Sequence, residues 1–229
     1  MTPVYNERDN LEAFITQVEN VLHETGETFE IIIIDDNSPD GTGELAEELA
    51  QQYGNIKVLH RPEKKGLGTA YKEGFNLTQG SIIVTIDSDQ SHDPQVLPTM
   101  LREVENPDTD IVIGSRFTQG GSIEGRSFWR DLMSVTANRF IRTITAKNIK
   151  DWTSGLRVYK RDVWTNTMPH VECIKWDFQF ESLYKSIKDG YQVTETPIHF
   201  HERAGGSSKF NLSEAIYFVF SIFKILITT

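Results

Sequence analysis

Aliphatic and β-branched residues fall in short dense runs along the chain, separated by stretches whose apolar residues recur every three or four positions. Residues 29–36 read Phe-Glu-Ile-Ile-Ile-Ile-Asp-Asp and residues 81–86 read Ser-Ile-Ile-Val-Thr-Ile. Neither run alternates polar with apolar, so both are expected as central strands buried on both faces. Further strands are expected at 56–59, 110–114 and 192–199, and a short one after the polar turn at 151–157. Between them, Leu11, Phe14, Ile15, Val18, Val21 and Leu22 mark the apolar stripe of a helix that Asn6 can cap. Helices are also expected from Asp40 to about Tyr53, over 95–104 and over 178–185. Strands alternating with helices in this way imply an α/β fold: an open, mostly parallel, Rossmann-like sheet with helices on both faces. The first seven residues read as the end of a strand and its turn, so further chain is expected upstream of Met1.

Two segments depart from this rhythm. Residues 126–150 hold Arg126, Arg130, Arg139, Arg142, Lys147 and Lys150 against the single acid Asp131. Their apolar residues, among them Trp129, Met133, Phe140 and Ile141, keep helical spacing. Such a helix either lies at a membrane surface or packs on the core with a solvated cationic face. The run 215–227 is apolar apart from Ser221 and Lys224, and is too short to cross a bilayer. We therefore expect a catalytic domain over 1–210 and an apolar interfacial helix, or the start of a membrane region, over 211–229.

Composition narrows the possibilities. At 229 residues with a net charge of −10, the chain suits one α/β domain and lacks the basic face that broad nucleic-acid binding needs. Cys173 is the single cysteine, so no intrachain disulfide forms and a reducing setting is expected, with the thiol an inert part of the core.

The candidate chemistry sits where strands should end. The run at 81–86 stops on Asp87 and Asp89, one residue apart, at the edge where open α/β sheets bind ligands. Paired carboxylates there call for a cation, and Mg²⁺ or Mn²⁺ would bridge them to phosphate oxygens. The plainer alternative is a solvated acidic turn, with Asp93 before Pro94 opening the next helix. Ser115-Arg116 falls on the same edge, as an ion-pair partner of the acids or as a phosphate clamp. The stretch from Lys64 to Lys72, with Gly66 and Gly68, is either a weak phosphate loop or a helix entrance. Residues 201–209 carry Arg203 and Lys209 in a glycine-containing loop, a surface loop or one able to close over a diphosphate.

Seven pieces then combine into a pattern: Pro3-Val-Tyr-Asn-Glu7, Asp35-Asp-Asn-Ser-Pro-Asp-Gly-Thr42, Asp87-Ser-Asp89, Gly114-Ser-Arg116, Asp151-Trp-Thr-Ser-Gly155, Phe178-Gln-Phe-Glu181 and Glu202-Arg-Ala-Gly-Gly-Ser-Ser-Lys209. In this order they resemble family-two glycosyltransferases of the GT-A fold, and more narrowly the dolichyl-phosphate mannose synthases. The resemblance implies that Pro3, Tyr5, Glu7 and Asp36 contact a nucleoside and that Asp87 and Asp89 hold the metal. It implies phosphate-binding roles for Arg116, Arg130, Arg203 and Lys209, with Asp89, Arg116 and Arg130 closest to the chemistry. The family often has Gln where this chain has Ser91, with Gln90 shifted by one, so the third metal ligand stays open. The implied reaction moves a hexose, mannose from GDP, onto a polyprenyl phosphate with inversion, at the cytoplasmic face of a membrane. A phosphate acceptor needs no strong base, which accommodates Gln179 where saccharide-acceptor relatives carry an acid. The competing readings are a transferase using UDP-glucose or a saccharide acceptor, and a phospho-accepting signalling domain, which would leave 151–209 unexplained.

Overall fold

The computed structural model describes residues 1–202 and 212–228. Three strands, β1 (Thr2–Val4), β2 (Ile31–Asp35) and β3 (Ile56–His60), pair in parallel in the order β1-β2-β3. Four more, β4 (Ile82–Thr85), β5 (Ile111–Ser115), β7 (Arg157–Lys160) and β8 (Val193–Pro197), run β4-β7-β5-β8. β7 is antiparallel to both its neighbours, while β5 and β8 are parallel. The Met1 nitrogen donates to the Val84 carbonyl at 2.7 Å and the Ile86 amide to the Met1 carbonyl at 3.2 Å, a parallel pattern that lays β1 beside β4. The strand order thus reads continuously as β3-β2-β1-β4-β7-β5-β8, with β4 at its centre.

Side-chain alternation explains the uniformly apolar runs. In β2, Ile31 and Ile33 point into one core, with Leu11, Phe14 and Val18 of α1 (Arg8–Thr25), Leu49 of α2 (Thr42–Tyr53) and Met100 of α4 (Leu97–Val104). Ile32 and Ile34 point into the other, with Tyr71 of α3 (Leu67–Phe75), Trp164 of α6 (Arg161–Asn166) and Phe180 of α7 (Asp177–Lys188). Both faces are covered, as a parallel sheet built from helical crossovers requires. The 81–86 run is less enclosed than its composition implies, because Ile82 and Val84 stay half-buried.

Several local expectations are corrected. Asn6 does not cap α1; it takes a left-handed conformation (φ 59°), and its amide donates to Ser38 Oγ. The strand expected over 192–199 divides at Ile198 into β8 and β9 (His199–His201). β9 pairs in parallel with β6 (Ser122–Glu124), a strand too short and too polar to announce itself. Asp93 does open the next helical segment, accepting from the Gln95 amide at 2.9 Å.

The basic segment forms α5 (Phe128–Thr145). Ile141 enters the core, whereas Phe128 and Trp129 are more than two-thirds exposed and Leu132, Met133 and Val135 are close to half exposed. α8 (Leu212–Thr228) packs on α7, buries Ile222 and Ile225, and sets Phe223 against Phe140 of α5 with ring centroids 5.9 Å apart. Among the described residues no helix is long and apolar enough to cross a membrane.

Candidate active site

Strand β4 delivers its acids to the carboxyl edge of the sheet. After the buried Ile86, Asp87 is partly exposed and Asp89 follows one turn residue later. Gln90 takes a left-handed conformation (φ 60°), which folds Ser91 back onto Asp89. Ser91 donates to Asp89 Oδ1 from its hydroxyl at 2.5 Å and from its amide at 3.0 Å. Ser91, considered from the sequence as a metal ligand, thus orients Asp89 through its amide and hydroxyl. The buried His92 places Nδ1 3.3 Å from the Ser91 hydroxyl and 3.9 Å from Asp87 Oδ2. Burial pushes this imidazole down to about 4, so it is neutral near pH 7. Behind Asp87, a Cβ placed on Gly155 would come within 2.9 Å of Asp87 Oδ2. Beneath the strand end lies Tyr71, whose hydroxyl is held well above the usual tyrosine range by burial and then by Asp87.

The cations of this edge are paired. Arg116 forms a fork on Asp151, Nε to Oδ2 at 2.7 Å and Nη2 to Oδ1 at 2.7 Å, and Nη2 also donates to Thr153 Oγ1 at 2.8 Å. Burial works against both charges. The pairing outweighs it, raising the guanidinium and holding the Asp151 carboxyl below the usual carboxylate range. Arg116 is thus an anchored cation beside the acids and not an uncommitted clamp. Arg130 pairs with Glu202. Arg126, read from the sequence only as part of the basic segment, lies close by, and its guanidinium is driven down by burial and by the like charge of Arg116. The Phe200 ring collects this group: Arg116 and Arg126 lie over it at 5.4 and 5.7 Å, with His92 against it at 5.3 Å. Arg203 and Lys209 lie outside the described residues.

Two strand positions away, roughly 10 Å at ordinary strand spacing, the ends of β2 and β3 build a second group. Asp36 is buried and paired with Arg61 Nη1 at 2.8 Å; burial raises its carboxyl against the opposing pull of Arg61 and Lys64. Arg61 in turn donates to Thr69 Oγ1 at 2.6 Å and reaches Glu73 at 3.3 Å. Between the two groups ends β1, where Pro3 pairs with Ile34, the Tyr5 ring lies 4.2 Å under Lys64, and Glu7 accepts from Asn10 at 2.9 Å. The sites read from the sequence at Pro3, Tyr5, Glu7, Asp36, Asp87 and Asp89 therefore line one continuous edge. Arg61 follows β3 as the acids follow β2 and β4, and the same strand-end argument would have found it.

The glycine stretch is not a phosphate loop. The Gly68 amide donates to the Ile174 carbonyl at 2.9 Å, and a Cβ on Gly68 would lie 2.6 Å from the Cys173 carbonyl. These glycines admit the segment before α7. A cleft of about 400 Å³ adjoins the turn after β4 through Gln90 and His92 and includes neither Asp87 nor Asp89.

Among the described residues no group of three or more His, Cys, Asp and Glu is placed to hold a metal ion. Two hard oxygen donors at one strand end fit a divalent ion that completes its shell with phosphate oxygens and water.

An open, mostly parallel sheet carrying acids and buried arginines along its carboxyl edge defines a GT-A-like α/β fold. Solved structures agree. Glucosyl-3-phosphoglycerate synthase from Mycobacterium tuberculosis in complex with phosphoglyceric acid superposes with a TM-score of 0.72 at 18% identity, over 98% of this chain and 78% of that one. The same enzyme in complex with Mn²⁺, uridine diphosphate and phosphoglyceric acid gives 0.72 at 17%, over 99% and 76%. The Glycosyl transferase family 2 pattern matches residues 1–166, and the chain belongs to that family. It is 38% identical over 223 residues to polyprenol monophosphomannose synthase of Mycolicibacterium smegmatis, covering 94% of this chain and 82% of the relative. It is 35% identical over 227 residues to dolichol-phosphate mannosyltransferase of Pyrococcus furiosus, covering 98% of this chain and 62% of that longer protein.

Proposed function

We propose that the chain transfers mannose from GDP-mannose to a polyprenyl phosphate, with inversion at the anomeric carbon. The observation that carries this is the edge on which Asp36, Asp87 and Asp89 lie beside the Arg116–Arg126–Arg130 group, on a chain 38% and 35% identical to a polyprenol monophosphomannose synthase and a dolichol-phosphate mannosyltransferase. The nucleoside would lie against Tyr5, Glu7 and Asp36, and the diphosphate against Asp87 and Asp89. A divalent cation, Mg²⁺ or Mn²⁺, would be held by Asp87 and Asp89, and when bound would supply positive charge to the leaving diphosphate.

An acceptor phosphate oxygen forms the new bond to the anomeric carbon as the bond to the diphosphate oxygen breaks. That oxygen is already ionised near pH 7, so no side chain takes a proton, consistent with the neutral Gln179 in the first turn of α7. Arg116, Arg126 and Arg130 lower the repulsion between two phosphates that must approach each other. Arg203 and Lys209 are assigned the same task.

The lipid arrives at a membrane surface, to which α5 and α8 present Phe128, Trp129, Phe220 and Ile227, all exposed. Incubating the protein with Mn²⁺, a short polyprenyl phosphate and radiolabelled GDP-mannose should carry label into the organic phase. Label from UDP-glucose and none from GDP-mannose would reassign the sugar, and label on a saccharide alone would reassign the acceptor.

A further inference from the structure

Arg157 opens β7, which runs antiparallel to both its neighbours. Its side chain is completely buried, yet among the described residues its hydrogen-bond partners are all neutral. Nε donates to the Ser154 carbonyl at 2.9 Å, Nη2 to the Trp152 carbonyl at 2.9 Å and Nη1 to the Gln179 carbonyl at 2.8 Å. Nη1 also has Ser182 Oγ at 3.3 Å and the Tyr159 hydroxyl at 3.4 Å. A buried cation lacking a carboxylate is costly, and core packing alone would be met by an apolar side chain. A planar five-donor fork does something an apolar chain and a lysine cannot: it fixes three carbonyls of two separate segments at set angles.

Those segments bear on both sides of the reaction. Trp152 and Ser154 flank Thr153, which accepts from Arg116, and they lead into Gly155, packed against Asp87. Gln179 lies in the first turn of α7. Just before that helix come the exposed Ile174 and Trp176, and Lys175 lies 5.0 Å over Tyr217 of α8, the helix whose exposed Phe220 and Ile227 are assigned to the lipid. We propose that Arg157 is a positioning residue for the transfer, tying the turn behind Asp87 to the first turn of α7 so that donor and lipid acceptor meet in line. This assignment rests on the functional reading above.

Arg157→Lys keeps the charge and loses the fork; Arg157→Met loses both. For each, melting temperature, affinity for GDP with Mn²⁺, kcat with a short polyprenyl phosphate, and loss of GDP-mannose to water are measured. Both variants should bind GDP within about threefold of wild type while kcat falls about 100-fold, the scale expected of a misplacement near 1 Å. The share of donor hydrolysed by water should rise. Wild-type kcat in Arg157→Lys, or GDP affinity and kcat falling in equal proportion, would overturn the assignment. If either variant does not fold, the double change Ser182→Ala with Tyr159→Phe takes two acceptors from Nη1 without opening a large cavity. A kcat decrease of about 3–10-fold at unchanged GDP affinity then supports the role, and an unchanged kcat defeats it. Wild-type protein that transfers nothing to polyprenyl phosphate defeats the functional reading itself, whereas an active wild type with unaltered variants defeats this assignment alone.

Discussion

Gly155 stands where the neighbouring carboxylate leaves no space for a side chain. With a Cβ held 2.9 Å from Asp87 Oδ2, Gly155→Ala must displace that oxygen. Transfer should fall about 100-fold with little change in melting temperature, since only one surface-facing carboxylate has to move. Asp87→Ala and Asp89→Ala should each lower kcat by about a hundredfold or more in a protein of unchanged circular dichroism. Full activity of both, or of wild type in chelator, would remove the metal from the mechanism. Asp151 gives a different prediction, for stability. Its folded pKa is depressed, so its contribution is complete above the ordinary carboxylate value near 4 and fades as pH falls through the folded pKa. Asp151→Asn should cost about 3–5 kcal/mol at pH 7, because Arg116 stays buried without its partner. The loss of melting temperature below pH 4 should be shallower than in wild type. Equal acid slopes would show that the pair does not titrate with folding.

At the scale of elements, the runs at 29–36 and 110–114 announce their strands because both faces of each are buried, and strand ends then locate Asp36, Asp87, Asp89 and Arg116 on one edge. Less is legible where long-range pairing decides. β6 exists because β9 lies beside it, and nothing in Ser122-Ile-Glu124 says so. The glycines at 66 and 68 imitate a phosphate loop, since close approach by backbone and by ligand makes the same demand on sequence. Arg116 reads from the sequence either as an ion-pair partner or as a clamp, because its partner, Asp151, is 35 residues away. For α5, periodicity leaves two orientations open, and the structure turns Phe128 and Trp129 outward. The double substitution Phe128→Ser with Trp129→Ser should weaken binding to phospholipid vesicles at least tenfold, given about 1.5–3 kcal/mol for each large apolar side chain buried. Turnover of a short, water-soluble acceptor should be nearly unchanged. Wild-type vesicle affinity in this variant would place the lipid face elsewhere.

Across the whole molecule, charge is distributed unevenly. The chain carries −10, but residues 126–150 carry an excess of five positives, leaving −15 for the remainder. An anionic bilayer would attract one side and repel the other, orienting the protein before any apolar contact forms. Binding to vesicles containing phosphatidylserine should drop several-fold between 0.05 and 0.5 M salt, where the screening length shortens from above 10 Å to below 5 Å. Binding to neutral vesicles should change little, and equal salt sensitivity of both would argue against an oriented approach.

The reversed strand β7 also shapes how the molecule forms. By entering between β4 and β5, it carries the turn at 151–155 to Asp87 from more than sixty residues further along the chain, so the working edge depends on contacts of high sequence separation. Helices α1 and α2 close locally and early, whereas this edge closes only after a long loop is drawn shut. On dilution from denaturant, recovery of nucleotide binding should trail the return of helical signal.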